Sequence, residues 1–211
     1  MMNNNGILVV ISGFSGAGKG TVVKQLMNTY DNYALSVSAT TRQPRAGEEE
    51  GVHYFFKTKE QFEEMITKDE LIEYASYVNN YYGTPKKYVN EQLMAGKDVI
   101  LEIELQGALK IKEKFPDTLL IFITPPSAVE LKNRLVNRGT ESAEVIEQRL
   151  ARAYEESFYM DKYDMTIVND DLDECVEQIH NTIQCEHAAA FRNRDFIKNI
   201  SEDLKQFAKG E

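Results

Sequence analysis

The sequence predicts an α/β protein with a parallel sheet that is covered by helices. Three observations predict this class. Apolar runs of strand length alternate with segments of helical periodicity along the chain. A glycine-rich turn joins the first strand to the first helix, and acidic residues close a later apolar strand, as at the ligand-binding edge of open parallel sheets. The length of 211 residues suits one domain of moderate size.

The individual elements follow from the apolar pattern, taken in chain order. A first strand at 6–12 leads into a helix at 18–29. Two stretches of capping-box form, with a hydroxyl residue three positions before Gln or Glu, predict helix starts at Thr58 and Ser127. Further strands are expected at 34–38, 98–104, 118–124 and 165–169.

The turn after the first strand has the spacing of a phosphate-binding loop. Its glycines let successive backbone N–H groups point at an anion, the next helix adds its positive N-terminus, and Lys19 supplies a mobile cation. We therefore expect the chain to bind a nucleoside triphosphate. Gly20 stands where a Ser or Thr hydroxyl usually contacts Mg²⁺, and Thr21 follows it. The residues expected at this nucleotide are Gly13, Phe14, Ser15, Gly16, Ala17, Gly18, Lys19, Gly20 and Thr21.

Two acids close the strand at 98–104. Because strand side chains alternate, Glu102 and Glu104 are predicted to share one face at the C-terminal end of the strand, which faces the ligand crevice in open parallel sheets. An acid in this place contacts Mg²⁺ directly or through water in phosphate-loop enzymes. The alternative is that the acids simply mark the return of the chain to solvent.

Two segments break the alternation of strands and helices. Residues 38–85 are rich in Tyr and Phe and have short extended runs around one helix, which predicts an inserted subdomain of small strands. Residues 127–159 hold two helical stretches on either side of Arg138-Gly139-Thr140, where the glycine is a candidate hinge of a mobile lid. An ordinary helix-turn-helix on the outside of the fold is the alternative.

Six of the eight arginines lie in these two segments. Arginine holds phosphate oxygens in two-point geometry, so the two clusters predict two phosphate-facing walls. For any single arginine, a surface salt bridge to a nearby acid such as Glu48, Glu49 or Glu147 is the alternative. The first cluster is Arg42 and Arg45, and the second is Arg134, Arg138, Arg149 and Arg152.

The composition argues against several classes of function. A formal net charge of -10 disfavours a chain whose main task is to grip nucleic acid. The two cysteines and three histidines show no metal-ligand spacing, which predicts a reduced intracellular protein without structural zinc. No apolar stretch is long enough to span a bilayer and no secretory pattern is visible, so we expect a cytoplasmic protein with no membrane partner.

Taken together, the motifs resemble those of the guanylate kinase family. The resemblance runs in order from near Gly6 to near Ile183, and the T-R-x-P-R-x-G-E and Y-G-T-P stretches are its most specific parts. The matching stretches are 13–21, 41–45 with Gly47-Glu48, 51–54, 82–85, 102–107, Arg138-Gly139-Thr140 and Val168-Asn169-Asp170.

The resemblance implies a P-loop nucleoside monophosphate kinase: a five-stranded parallel sheet with helices on both faces, an inserted GMP-binding subdomain and a helical lid. The reaction would transfer the γ-phosphoryl group of ATP to GMP, with dGMP as a further expected acceptor. Mg²⁺ would be held mainly by phosphates and water, without dedicated protein ligands. The kinase domain would cover 6–184, made of a core (6–37, 86–126 and 160–184), an insert (38–85) and a lid (127–159).

The resemblance also implies roles for single residues. A carboxylate only accepts hydrogen bonds, so Glu73 suits the two N–H donors on the edge of guanine, although by pattern alone it would be a solvent-facing strand residue. The guanine contacts implied are Ser38, Glu73 and Thr84, and the contacts to the acceptor phosphate are Arg42, Arg45, Tyr54 and Tyr82. The catalytic groups implied are Lys19, Arg42, Arg138 and Arg149, and Glu102 and Glu104 complete the substrate site.

Other readings of the chain stay open. A catalytically inactive relative would bind a phosphorylated peptide, although such modules tend to lose the loop lysine and glycines, which are present here. A kinase of another small phosphate, such as a ribose bisphosphate, would not need the guanine contacts. Phe14, Gly20 and Glu104 depart from the usual family pattern. Residues 185–211 form a helical extension that is expected to pack on the core or to mediate self-association, so monomer and homo-oligomer both remain possible.

Overall fold

The computed structural model describes residues 5–45, 47–77, 79–139 and 142–208. In chain order the strands are β1 (Leu8–Gly13), β2 (Tyr33–Leu35), β3 (Ala39–Thr40), β4 (Phe55–Phe56), β5 (Leu71–Tyr77), β6 (Asn80–Pro85), β7 (Asp98–Glu102), β8 (Leu119–Thr124) and β9 (Met165–Val168). The α-helices are α1 (Lys19–Thr29), α2 (Lys59–Thr67), α3 (Lys86–Met94), α4 (Leu105–Lys114), α5 (Ala128–Asn137), α6 (Ala143–Ser157), α7 (Leu172–His187) and α8 (Arg194–Ala208).

The main sheet has five parallel strands in the order β2-β7-β1-β8-β9. This confirms the predicted α/β class. The strands are continuous apolar runs, as parallel strands covered by helices require, and Val9, Val10 and Ile11 at the centre of β1 are fully buried. Strands β7 and β2 lie on one side of β1, and strands β8 and β9 lie on the other. The strand order therefore reverses at β1, and open parallel sheets bind ligands at the carboxyl end of such a switch point.

A second sheet lies within residues 39–85, in the order β4-β3-β6-β5. Its strands are short and mostly antiparallel, with β3 and β4 parallel. It has a small core of its own around Phe62, against whose ring the ring of Tyr81 stacks at 5.2 Å between centroids. The small strands expected in this region are therefore present, while the subdomain boundaries at 38 and 85 remain a prediction.

Some boundaries differ from the prediction. Strand β7 ends at Glu102, and Glu104 is the N-cap residue of α4, so the two acids do not share one strand face. The reason is that Ile103 has left the ladder: its carbonyl accepts the Ser12 hydroxyl at 2.8 Å instead of a strand N–H. The strand expected at 34–38 likewise ends at Leu35.

Both predicted helix starts lie where the capping sequences placed them. At Thr58 the capping box is complete, since its hydroxyl accepts the Gln61 N–H and the Gln61 side chain accepts the Thr58 N–H. At Ser127 only half of the box forms, because the carboxylate of Glu130 pairs with Arg134 at 2.8 Å.

The C-terminal extension divides into two parts. Asn193 is buried and its side-chain amide donates to the carbonyls of His187 and Ala189, which anchors the start of the extension. Helix α8 that follows buries none of its side chains, so the expectation that the whole extension packs on the core is wrong for this helix. Its apolar residues are exposed along one stripe: Ile197, Ile200, Leu204 and Phe207.

No helix in the described part of the chain is long and apolar enough to cross a membrane.

A buried polar cluster closes the main sheet at the end opposite the glycine-rich turn. Asp98, at the start of β7, is 1% exposed. Its Oδ1 accepts the Ile7 N–H at 2.8 Å and lies 2.8 Å from Nε2 of His187, and its Oδ2 accepts the Asn32 amide at 3.3 Å. The carboxylate therefore ties β1, the loop before β2 and the end of α7 to β7.

Replacing Asp98 by Ala is expected to lower the free energy of unfolding by about 3 kcal/mol, since three hydrogen bonds worth roughly 1 kcal/mol each are lost and a buried N–H is left unpaired. Urea unfolding measures this change, with Asp203→Ala on exposed α8 as the control. Steady-state kinetics should stay unchanged, because Asp98 lies at the far end of the sheet. A loss no greater than that of the control would refute this role.

Candidate functional site

The turn between β1 and α1 forms a loop suited to binding phosphate. Gly16 and Gly18 have φ values of 94° and 92°, which side-chain-bearing residues rarely adopt. Lys19 folds back over the loop, with Nζ donating to the carbonyl of Gly13 at 2.7 Å and lying 3.5 Å from that of Phe14. The lysine ammonium is thus held over the turn that the sequence analysis identified, and its contact with phosphate remains a prediction.

Lys19 is surrounded by acids. Burial lowers the pKa of Lys19, and the negative charge of Glu102 opposes this most strongly, followed by Glu156 and Glu104. Both strand-end acids of the sequence prediction therefore act on the loop lysine, even though only Glu102 belongs to β7. Glu102 also borders Gly20, since a Cβ built there would lie 3.8 Å from Oε1.

The sequence analysis did not single out Asn169 as a site residue. It follows β9, is 7% exposed, and its side-chain amide donates to the carbonyl of Ala17 at 2.7 Å. A Cβ on Gly18 would approach this amide to 2.5 Å, so the glycine is needed for close contact as well as for its φ. Asn169 therefore holds the Ala17 carbonyl of the loop in place. Its only signal in the sequence was the Val168-Asn169-Asp170 stretch of the family resemblance.

Helices α5 and α6, within the predicted lid, lie against the loop. Arg149 donates from Nη1 to the Ser15 hydroxyl at 2.7 Å. The side chain of Leu135 approaches Gly16 so closely that a Cβ on the glycine would lie 2.9 Å from it. Arg138 is exposed at the C-cap of α5, and Thr140 of the predicted hinge lies outside the described residues. Within the described residues the structure therefore joins Arg149 to the loop by a direct hydrogen bond and does not so join Arg138.

The other two arginines of this cluster pair with acids. Arg152 bridges Glu104 at 2.6 Å and Glu156 at 2.9 Å, which links α6 to the start of α4. Arg134 pairs with Glu130 one turn earlier on α5. These two side chains thus form salt bridges of the kind that the alternative named.

Of the three residues expected at guanine, Glu73 and Thr84 lie on neighbouring strands of the second sheet and Ser38 lies just before a third strand. Glu73 on β5 accepts the Thr84 hydroxyl of β6 at 2.9 Å. Ser38 directly precedes β3, whose first residue pairs with Gly83. Glu73 is half-buried and bonded to Thr84, so it is not the fully solvent-facing residue of the alternative, and this burial raises the pKa of its carboxyl. The three residues therefore place one carboxylate and two hydroxyls on adjacent strands of the small sheet.

A cationic cluster is formed by residues of the same small sheet and of the segments next to it. The guanidinium carbon of Arg42 lies 5.4 Å from the ring centre of Tyr54, whose ring is 6.2 Å from that of Tyr82. Arg42 also pairs with Glu48 at 2.7 Å, and its side chain is 15% exposed. Arg45 is exposed at the next turn of the same segment. The structure therefore brings Arg42, Tyr54 and Tyr82 together and sets Arg45 nearby.

Comparison with known proteins gives consistent matches. The guanylate kinase family model matches residues 5–186. A guanylate kinase of Streptococcus mutans is 54% identical over 208 residues, covering 96% of this chain and 98% of that protein. One of Caldanaerobacter subterraneus subsp. tengcongensis is 51% identical over 202 residues, with coverages of 96% and 98%. The crystal structure of guanylate kinase from Anaplasma phagocytophilum matches with a TM-score of 0.69 at 34% identity, covering 91% of this chain and 92% of that one.

Proposed function

Because the chain belongs to the guanylate kinase family, we propose that it transfers the γ-phosphoryl group of ATP to GMP, giving ADP and GDP. In the structure, one observation carries this proposal. The half-buried Glu73–Thr84 pair and the Arg42–Tyr54–Tyr82 cluster both belong to the small sheet and its adjoining segments, so one subdomain supplies a carboxylate that can read a base and a cation that can bind a phosphate. A purine monophosphate presents that combination of groups.

Glu73 is proposed to select guanine. Guanine offers N–H donors at N1 and at its exocyclic amine, and an ionised carboxylate accepts both. Adenine has an acceptor at N1, which would face the carboxylate lone pairs in a buried site and reject that base strongly. Thr84 and Ser38 are proposed to complete the base contacts, and Thr84 orients Glu73 through the 2.9 Å hydrogen bond.

Arg42 and Arg45 are proposed to bind the acceptor phosphate, together with the hydroxyls of Tyr54 and Tyr82. Arginine matches phosphate oxygens in two-point geometry, and the ring of Tyr54 lies against the Arg42 guanidinium. No general base is required, because the second ionisation of a phosphate monoester lies near pH 6 and the acceptor is mostly dianionic at neutral pH.

The phosphate loop is proposed to hold ATP, with Lys19 at the outer phosphates. Phosphoryl transfer requires the attacking and leaving oxygens in line and the spread negative charge neutralised. Arg149 already lies on the loop at Ser15 and is proposed to contact the transferred group, and Arg138 is proposed to join it when the 127–159 segment closes. Closure excludes water, which would otherwise hydrolyse the activated triphosphate.

The loop also suits Mg²⁺, which we propose accompanies ATP. The Glu102 carboxylate borders Gly20, and Thr21 follows with an exposed hydroxyl, so hard oxygen donors are at hand. Within the described residues there is no group of three or more acidic, His or Cys side chains suited to a metal, so phosphate oxygens and water would supply most ligands. When bound, the ion would neutralise charge on the phosphates.

An ADP-release assay with ATP and a panel of acceptors tests the proposal. GMP should be phosphorylated, while AMP, dTMP and ribose phosphates should be poor acceptors. An inactive phosphopeptide-binding module would release no ADP with any of them, and the intact loop glycines and Lys19 argue against it. If a ribose phosphate were phosphorylated faster than GMP, the proposal that GMP is the acceptor would be wrong.

A further inference from the structure

We propose that Glu48 is a positioning residue that holds the acceptor-phosphate clamp in its binding geometry before GMP arrives. The inference rests on the proposed function and deepens it, because it assigns the pre-organisation of the clamp to a residue that need not touch either substrate. It depends on the contacts of one carboxylate within the segment 42–48.

The Glu48 carboxylate bridges both arginines of the clamp through different atoms. Its Oε1 accepts from Nη2 of Arg42 at 2.7 Å, and its Oε2 accepts the backbone N–H of Arg45 at 2.7 Å. The Glu48 N–H in turn donates to the Arg45 carbonyl at 3.0 Å, which closes the turn. One acid therefore fixes the guanidinium of Arg42 and the main chain that carries Arg45.

These contacts leave donors for a phosphate. Glu48 engages Nη2 of Arg42, and Nη1 donates to the Gln43 carbonyl at 2.8 Å, while a guanidinium has five N–H donors in total. Because Glu48 binds Arg45 through the backbone, the guanidinium of Arg45 is not engaged by it. The hydrogen bond from Arg42 holds the pKa of Glu48 at about 2, so the carboxylate stays ionised throughout the range of enzyme assays.

Two opposing effects decide what the acid does for binding. Its negative charge repels an incoming phosphate, which would weaken GMP binding. Its hydrogen bonds remove the rotamer freedom of a long arginine side chain before binding, so that less of this freedom is lost when the phosphate binds. Arg42 and Glu48 are only 15% and 18% exposed, so the pair is held in one geometry by its surroundings. We infer that pre-organisation exceeds repulsion here.

The test is Glu48→Gln, compared with Glu50→Gln. Glu50 is a matched control in the same loop: it accepts the Phe56 N–H at 2.7 Å and lies 3.7 Å from Lys57, and within the described residues none of its contacts is to an arginine. The dissociation constants of GMP and of guanosine, which lacks the phosphate, are measured for each protein. Glu48→Gln should weaken GMP binding about tenfold, with guanosine binding unchanged within twofold. Glu50→Gln should change neither value.

The outcomes separate the inference from the proposed function. If the wild-type chain does not bind GMP, the proposed function fails before any variant is tested. If it binds GMP and Glu48→Gln binds it equally or more tightly, repulsion dominates and the inference is overturned. Equal weakening of GMP and guanosine would show that Glu48 merely holds the insert together, which also overturns it. Glu48→Asp, which keeps the charge but is one methylene too short to span both partners, should weaken GMP selectively as well.

Discussion

Replacing Lys19 by Met is expected to reduce kcat by about a thousandfold, because the loss of one pre-organised cation or donor from a transferring group costs roughly 10²–10³ in rate. Methionine keeps most of the length and apolar character of the lysine side chain and removes only the charge. The effect should fall on turnover more than on ATP affinity, since the charge on the transferred group spreads most in the transition state.

The geometry around Lys19 explains why the loss of its charge should be costly. Its ammonium is held over the loop by the Gly13 carbonyl, and the side chains that act most strongly on it are acids, led by Glu102. Without the lysine charge, these acids would face the triphosphate and repel it. The rate loss should therefore have two causes: the attraction between Lys19 and the triphosphate is lost, and the repulsion between the acids and the triphosphate is no longer offset.

Single-turnover and steady-state kinetics with ATP and GMP measure the effect, and Lys24→Met is the matched control. Lys24 lies on the same helix, α1, and is exposed to solvent. The control should retain wild-type turnover within twofold. A Lys19→Met variant with more than a tenth of wild-type kcat would contradict the proposed role of the loop lysine.

The parallel sheet and the phosphate loop could be predicted from the sequence because their signals are local. The apolar run of β1, the glycines and Lys19 are contiguous, and positive φ at Gly16 and Gly18 is a property of single residues. The capping box at Thr58 was predictable for the same reason, since both of its hydrogen bonds span three residues.

The features that the sequence did not reveal depend on contacts between distant parts of the chain. Asn169 reaches Ala17 across 152 positions, and Arg152 reaches Glu104 across 48, so neither pairing has a local pattern. Glu104 was assigned to a strand on the alternating pattern of side chains. That pattern cannot show that the strand ends where the Ser12 hydroxyl donates a hydrogen bond to the carbonyl of Ile103. The amphipathic pattern of α8 predicted a helix correctly but not its packing, because a pattern does not name what covers the apolar face.

Replacing Glu73 by Gln is expected to lower kcat/KM for GMP by a factor of about 10²–10³, since each hydrogen bond to a charged group contributes roughly 1.5–3 kcal/mol and guanine offers two such donors. The glutamine oxygen can accept a hydrogen bond from one guanine N–H, but the glutamine NH₂ group is itself a donor and would face the second guanine N–H without forming a hydrogen bond. Thr84 would still have an acceptor within reach, so the local fold should persist.

The same substitution should make the protein more stable at neutral pH. Burial raises the pKa of Glu73, so the folded chain holds that proton more tightly than the unfolded chain does. The stability contributed by the protonated side chain is full below the unfolded pKa and is lost as the pH rises through the folded pKa. At neutral pH the wild-type protein therefore carries the cost of a buried carboxylate, which Glu73→Gln removes.

Both effects can be measured on one set of proteins, with Glu70→Gln as the control that makes the same change of charge at an exposed position. Glu73→Gln should raise Tm at pH 7 and lose this advantage as the pH falls, because the wild-type carboxyl becomes protonated as well. In the wild type, guanosine should compete less well with GMP over the same acidic range. Guanosine is used because it has no phosphate whose own titration would alter the result. A variant that kept GMP activity, or that was less stable than the wild type at neutral pH, would show that Glu73 is a structural partner of Thr84 and not the group that reads the base.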